Sequence, residues 1–196
     1  MQKLTDREIR QALIDSLKRR PKAPHATLEE VHVCNSNAIA DVVAIYKTMH
    51  CYEIKGETDS IGRVVRQSQY YDQAFPLISL VTTNNHIRKA EEIVPQHWGI
   101  IVAKIDAANF VAFRHVRGAT RNDSYNPEIA LLSLWRSELL DFAGQYDLSL
   151  AKMNRQKIAA LIASTSPKHV INESVGRALA ARGARMANWD SRTPCR

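Results

Sequence analysis

Residues 39–46 read IADVVAIY and residues 50–55 read HCYEIK, with Lys47-Thr48 close to the midpoint between them. The first run is rich in β-branched residues and fits a buried strand. The polar pair fits a hairpin tip, and the second run fits the returning strand. Successive strand residues point to opposite faces, so Glu53 and Lys55 project from one face. A hairpin turning about Lys47 sets Asp41 opposite Glu53, because each lies six residues from the turn. Directly opposed residues have Cβ atoms about 5 Å apart, and like charges so placed repel. A hard divalent cation between them removes the repulsion, and two carboxylates with water and substrate oxygens suit Mg²⁺. The plainer reading is a salt bridge between Asp41 and Lys55, with Glu53 in solvent.

Working outward, Thr5-Asp6-Arg7-Glu8 has the pattern of a capping box. Ile9, Leu13, Ile14 and Leu17 behind it keep helical spacing and predict a first helix ending before Pro21. Residues 29–34 predict a short strand before the hairpin. Gly56 ends the hairpin's second strand, and Thr58, Asp59 and Ser60 offer caps for a helix over about 61–74. Further strands are expected at 77–81 and 98–105, with a sixth at 110–115. Asn84 and Asn85 are expected to cap a short helix ending near Val94. The order is α-β-β-β-α-β-α-β, an α/β layer structure on a mixed sheet. Residues 117–126 read as a linker. The remainder is helical only, over about 127–144, 152–164 and 168–183, with Gly144 and Gly183 suited to helix ends. The expected organisation is therefore a core over 1–116, a linker over 117–126 and a basic helical region over 127–196.

The chain has 196 residues with 45% hydrophobic and 24% charged composition, which excludes wholesale disorder and a disulfide scaffold. No apolar run is long enough for a membrane span, and the charged N-terminal stretch lacks a signal-peptide core, so a cytoplasmic protein is expected. Cys34, Cys51 and Cys195 form no CxxC pair, which argues against a zinc ribbon. Lys plus Arg is 27 and Asp plus Glu is 20, a net charge of +7. Residues 145–196 hold 9 basic and 3 acidic residues, whereas residues 1–144 hold 18 and 17. A basic end on a near-neutral body points to a polyanion, nucleic acid before membrane.

A Mg²⁺ or Mn²⁺ ion held by Asp41 and Glu53 would polarise a phosphodiester. Lys55 could orient a water or offset developing negative charge, and the carbonyl of Ile54 is a further candidate metal ligand. Asp41…Glu53-Ile54-Lys55 in an α-β-β-β-α-β frame resembles the PD-(D/E)XK nuclease superfamily, which has a restriction-endonuclease-like core. Glu-Ile-Lys followed by Thr58-Asp59-Ser60 and a helix is similar to small bacterial and phage proteins of the MmcB-like DNA repair group. The resemblance spans about residues 5–105 and implies a metal-dependent nuclease, with DNA a better substrate than RNA, serving repair, defence or mobile elements.

Two more positions follow from that resemblance. Members place an acid upstream, for which Glu30 is the candidate; Glu8 competes, but capping already explains it. Gln67 and Tyr71 match a Q-x-x-x-Y helix motif of RecB-like nucleases and share one helical face, where they could touch phosphate or brace Lys55. Related proteins often carry an Arg two residues before the Asp. This chain has Ile39 there, so Arg63 or Arg66 must serve.

Lys152, Arg155 and Lys157 are expected to grip phosphates without sequence preference. The stretch from Arg155 also resembles a helix-turn-helix, and the helical region could instead dimerise the chain or lay Leu131, Leu134 and Leu139 on the core. The alternative to an enzyme is a catalytically silent binding or regulatory protein on the same core. Trp98, Trp135 and Trp189 read as packing residues, and the seven histidines as scattered surface or core residues. The Ser149-Leu150-Ala151-Lys152 match to SxxK lacks its companion motifs. Asn122-Asp123-Ser124 and Asn172-Glu173-Ser174 are sequons in pattern alone.

Overall fold

A computed structural model describes residues 3–144, 150 and 152–190, without the side chains of 187–190. Cys195, the Trp189 side chain, and Ser149 and Ala151 of the SxxK match lie outside the described residues.

The expected capping box forms: the Glu8 carboxylate accepts the Thr5 N–H at 2.9 Å and Thr5 Oγ1 accepts the Glu8 N–H at 3.3 Å. It opens α1 (Asp6–Lys18), followed by β1 (Ala26–Val33), β2 (Ala38–Ile45), β3 (Met49–Ile54), α2 (Arg63–Ala74) and β4 (Leu77–Thr83). Then come α3 (Ile87–Ile93), β5 (Gly99–Ile105) and β6 (Val111–Arg117). Four helices close the described chain: α4 (Pro127–Leu131), α5 (Arg136–Ala143), α6 (Arg155–Thr165) and α7 (Lys168–Asp190).

The six strands form one mixed sheet in sequence order. β1, β2 and β3 pair antiparallel, β3, β4 and β5 parallel, and β6 returns antiparallel. Helices cover both faces, which is why the central strands are apolar almost throughout. On one face Ile9, Leu13, Ile14 and Leu17 of α1 pack on Val42, Ala44, Tyr52 and Ile54. On the other, α2 and α3 join the C-terminal helices over Val43, Ile45, Met49, Cys51 and Leu80. Leu131, Leu134 and Leu139 are fully buried in that second layer, so they pack on the sheet.

Several local expectations need correction. The predicted helix over 127–144 is two helices, broken where Leu134 N–H turns to the Leu131 carbonyl at 2.9 Å. Asp59 does not cap α2; its carboxylate accepts the Gly56 N–H at 2.7 Å, and Gly62 stands at the cap. Asn85 does not cap α3 either; its amide donates to the Glu57 carbonyl at 2.9 Å. Gly183 does not end a helix. It lies inside α7, where a Cβ would stand 2.6 Å from Leu28 Cδ2, so it permits close approach to β1. Both sequon asparagines are buried clamps. Asn122 donates to the carbonyls of Asp72 and Phe75 at 2.6 and 2.8 Å. Asn172 joins α7 to the hairpin tip through the Met49 N–H and the Lys47 carbonyl. Trp98 is fully buried, but Trp135 is 51% exposed and is not a core residue.

Candidate functional site

The hairpin pairs Val42 with Tyr52 and Ile45 with Met49, so it turns about Lys47 as its sequence predicts. Around Asp41 the pattern changes. The β1–β2 ladder pairs Glu29 with Val42 and Val31 with Ala40, while Glu30 and Asp41 between them do not pair. Glu30 there has φ 52°, a left-handed backbone that is unusual for a glutamate. The consequence is a phase break: Val43 and Ile45 face the α2 layer, and so do Ala38 and Ala40. Asp41 sits at the break, one residue beyond the last β2–β3 pair, Val42 with Tyr52, and its carboxylate turns to β3.

That carboxylate accepts the Ile54 N–H at 2.7 Å through Oδ2, and Arg10 Nη2 of α1 lies 3.4 Å from Oδ1. A strand residue turns its N–H and C=O to the same neighbour, so the Ile54 carbonyl leaves β3 on the Asp41 side. Burial and the charge of Glu53 push the Asp41 carboxyl up to about 7, against the opposing pull of the Ile54 N–H and Lys55. Asp41 and Glu53 therefore share one electrostatic neighbourhood.

Glu53 is fully buried. Lys55 Nζ donates to its Oε1, and the lysine side chain is itself only 12% exposed. Tyr71 reaches Oε2 at 2.7 Å and the Ile39 carbonyl at 2.6 Å, while Gln67 Nε2 donates to the phenol at 3.2 Å. The phenol thus stands between two acceptors with one proton to give. Its pKa is raised far beyond the usual range by burial and by Glu53. Cys51 beneath is raised by burial and then by Glu53 and Asp41, so the thiol stays neutral under the acids. Gln67 Oε1 is buried with no hydrogen-bond partner among the described residues.

The structure brings Asp41, Glu53, Ile54, Lys55, Gln67 and Tyr71 together, with Tyr71 bracing Glu53 and not Lys55. Glu30 stands apart. Its side chain is 70% exposed and pairs with Arg10 at 3.1 Å, and no cluster of three metal-ligating His, Cys, Asp or Glu side chains exists among the described residues. Arg63 and Arg66 are exposed on α2. The guanidinium at Asp41 belongs to Arg10, which sequence reasoning missed; its position on the polar side of an amphipathic α1 was the available signal. Arg155 donates to Asn35 Oδ1 at 2.6 Å, at the β1–β2 turn and so at the Asp41 end of the sheet. Lys152 and Lys157 are exposed nearby in the chain.

Two carboxylates and a main-chain carbonyl form an oxygen donor set of the kind Mg²⁺ takes, with waters completing the shell. The Asp41 pKa is raised by burial first and by the Glu53 charge second, and a cation beside both acids would offset these costs of ionisation. By residue type these are oxygen donors suited to a divalent ion, while Asp41 Oδ2 and both Glu53 oxygens now accept protein hydrogen bonds.

The family model described as bacteriophage P4 protein cII matches residues 1–190. A curated relative, protein cII of Enterobacteria phage P4, is 23% identical over 173 residues, which are 88% of this chain and 65% of that protein's length. Among solved structures, a Silicibacter pomeroyi protein of unknown function, SPO1766, aligns with TM-score 0.47 and 14% identity over 74% of this chain and 94% of that one. Among the described residues no helix is long and apolar enough to cross a membrane.

Proposed function

The chain belongs to the bacteriophage P4 protein cII family; from the grouping of its buried acids and lysine, and not from that membership, we propose that it is a metal-dependent nuclease with a restriction-endonuclease-like core, acting on DNA. The observation that supports this reading is the convergence of Asp41, Glu53 and Lys55 where the β2–β3 pairing ends, with Tyr71 holding Glu53. A Mg²⁺ or Mn²⁺ ion held by Asp41, Glu53 and the Ile54 carbonyl would supply Lewis-acid polarisation of the phosphodiester. Lys55, paired with Glu53 in this structure, would orient the attacking water and offset the negative charge that grows on the phosphate oxygens. The Ile54 N–H fixes the Asp41 rotamer, and Tyr71 with Gln67 fixes that of Glu53. Arg155, Lys152 and Lys157 add affinity for the phosphate backbone.

The test is cleavage of labelled single- and double-stranded DNA and RNA in Mg²⁺ or Mn²⁺. Wild type is expected to cut, whereas Asp41→Asn, Glu53→Gln and Lys55→Met lose at least 100-fold in rate while staying folded. A wild type inert on every substrate with either ion removes the proposal.

One observation favours a second reading, a catalytically silent nucleic-acid-binding protein. All four carboxylate oxygens of Asp41 and Glu53 already have protein partners or a guanidinium within 3.4 Å. That reading expects binding that persists in EDTA and ignores Glu53→Gln, with no cleavage.

A further inference from the structure

A groove of about 550 Å³ runs between the free edge of the sheet and the C-terminal helices. Glu30, Asn35 and Ser36 line the end near Asp41, and Trp135, Arg155 and Arg182 line the rest. Charged side chains are deliberately placed along it. Arg182 donates to the carboxylate of Glu138, which is nearly buried, and to the Ser133 carbonyl at 3.1 Å. Fixed in this way, its guanidinium lies over the Trp135 ring at 4.4 Å from the centroid. The indole itself is half exposed. Arg182 packs on the Trp135 ring, yet the residue stays half exposed, whereas Leu134 next to it is fully buried.

The groove carries acids as well, Glu29 and Glu30 at one end. Arg10 lies between them, 3.9 and 3.1 Å from their carboxylates, and it also reaches Asp41. Arg10 thus links Glu30 of the groove to Asp41 by ion pairs. Met186 and Trp135 provide exposed apolar surface, and Arg155 provides a cation not paired with a carboxylate among the described residues, its Nη2 donating to Asn35 Oδ1. That combination suits bases that can leave a stack and phosphates that follow them. A blunt duplex offers no unstacked base to an indole and cannot enter a slot of this size.

Resting on the nuclease reading for its biological role but not for its test, we propose that this groove binds a single-stranded nucleic acid. One base stacks on the exposed part of the Trp135 ring, which Arg182 holds in place, and Arg155 holds the adjoining phosphate. Base–aromatic stacking is worth about 1–3 kcal/mol per base, so loss of the ring is expected to weaken binding about 5- to 150-fold.

The test measures equilibrium binding of a fluorescein-labelled 15-nucleotide single strand to the full chain in EDTA, where no cleavage can occur. Trp135→Ala is expected to weaken binding at least fivefold, Trp135→Tyr to restore most of it, and Arg155→Ala to weaken it and flatten its salt dependence. Lys89→Ala, exposed on α3 outside the groove, is expected to bind within twofold of wild type, and a chain that never cuts but binds through Trp135 sinks only the nuclease reading. The capping contact from the Glu138 carboxylate goes to the Trp135 main-chain N–H at 2.8 Å, so it survives the alanine variant. An unchanged melting temperature checks that. Trp135→Ala binding the single strand as wild type does, or a blunt 15-base-pair duplex competing equally, overturns the proposal.

Discussion

The Asp41 carboxylate accepts the main-chain N–H of Ile54 at 2.7 Å, replacing the next rung of the β2–β3 ladder with a side chain. A strand pair that ends this way leaves an acid between two backbones, where it is poorly hydrated and close to a second acid. The cost of ionising it is the clearest physical signature of the site.

That cost sets a pH dependence. The folded-state pKa of Asp41 is raised from 3.8 to about 7, by burial first and Glu53 second. The folded chain therefore holds this proton more tightly than the unfolded chain. The associated stability is present below about pH 4 and is lost as pH rises through about 7. Asp41→Asn is expected to be more stable than wild type at pH 8 by up to about 4 kcal/mol, measured by urea denaturation in EDTA. A less stable variant at that pH would contradict the electrostatic account.

His50 works in the opposite sense. Burial, with Arg20 and His115, pulls its pKa from 6.5 down to about 3, and Nε2 lies 2.9 Å from Ser79 Oγ. The folded chain resists protonation, so this contribution is present above about pH 6.5 and is lost as pH falls towards 3. Between pH 6.5 and 4 the two groups oppose each other and wild type should vary little. His50→Gln is expected to gain stability on acidification over that window, and Asp41→Asn to lose on the order of 3 kcal/mol. Parallel wild-type and variant curves would show that neither group titrates as described.

Divalent ions should compete with the Asp41 proton. Mn²⁺ at about 100 times its dissociation constant is expected to add about 2.7 kcal/mol, seen as a rise of several degrees in Tm at pH 8. At pH 5.5 only about one site in thirty is ionised if the pKa is about 7, so the apparent affinity should fall by about that factor. Asp41→Asn should abolish the shift at both values. An equal shift in Asp41→Asn would place the ion elsewhere.

Gly56 follows Lys55 and passes directly under the start of α1. A Cβ there would stand 2.8 Å from the Asp6 N and 2.9 Å from the Leu4 carbonyl oxygen. Both are main-chain atoms, and the adjacent Glu57 N–H donates to that same carbonyl at 2.9 Å. Gly56→Ala is expected to cost about 2 kcal/mol or more and to reduce any Lys55-dependent cleavage with it. An alanine variant as stable as wild type would show that α1 can retreat.

Much was legible in the chain itself. The capping box, the apolar spacing of α1, the hairpin about Lys47 and the order of strands follow from short-range rules. Periodicity, turn chemistry and local hydrogen bonding act over a few residues, and the candidate triad Asp41, Glu53 and Lys55 was found that way. Tertiary structure alone decided the rest. The phase break at Glu30 and Asp41 needs β1 and β2 together, since strict alternation would send Ala38 and Ala40 to the other face. Arg10 meets Asp41 across 31 positions, and Arg182 meets Trp135 across 47. Asn122 and Asn172, sequons by pattern, became clamps because burial leaves an amide no water to bond and so requires protein partners. Contacts at such separations depend on how layers pack, and no local pattern encodes them.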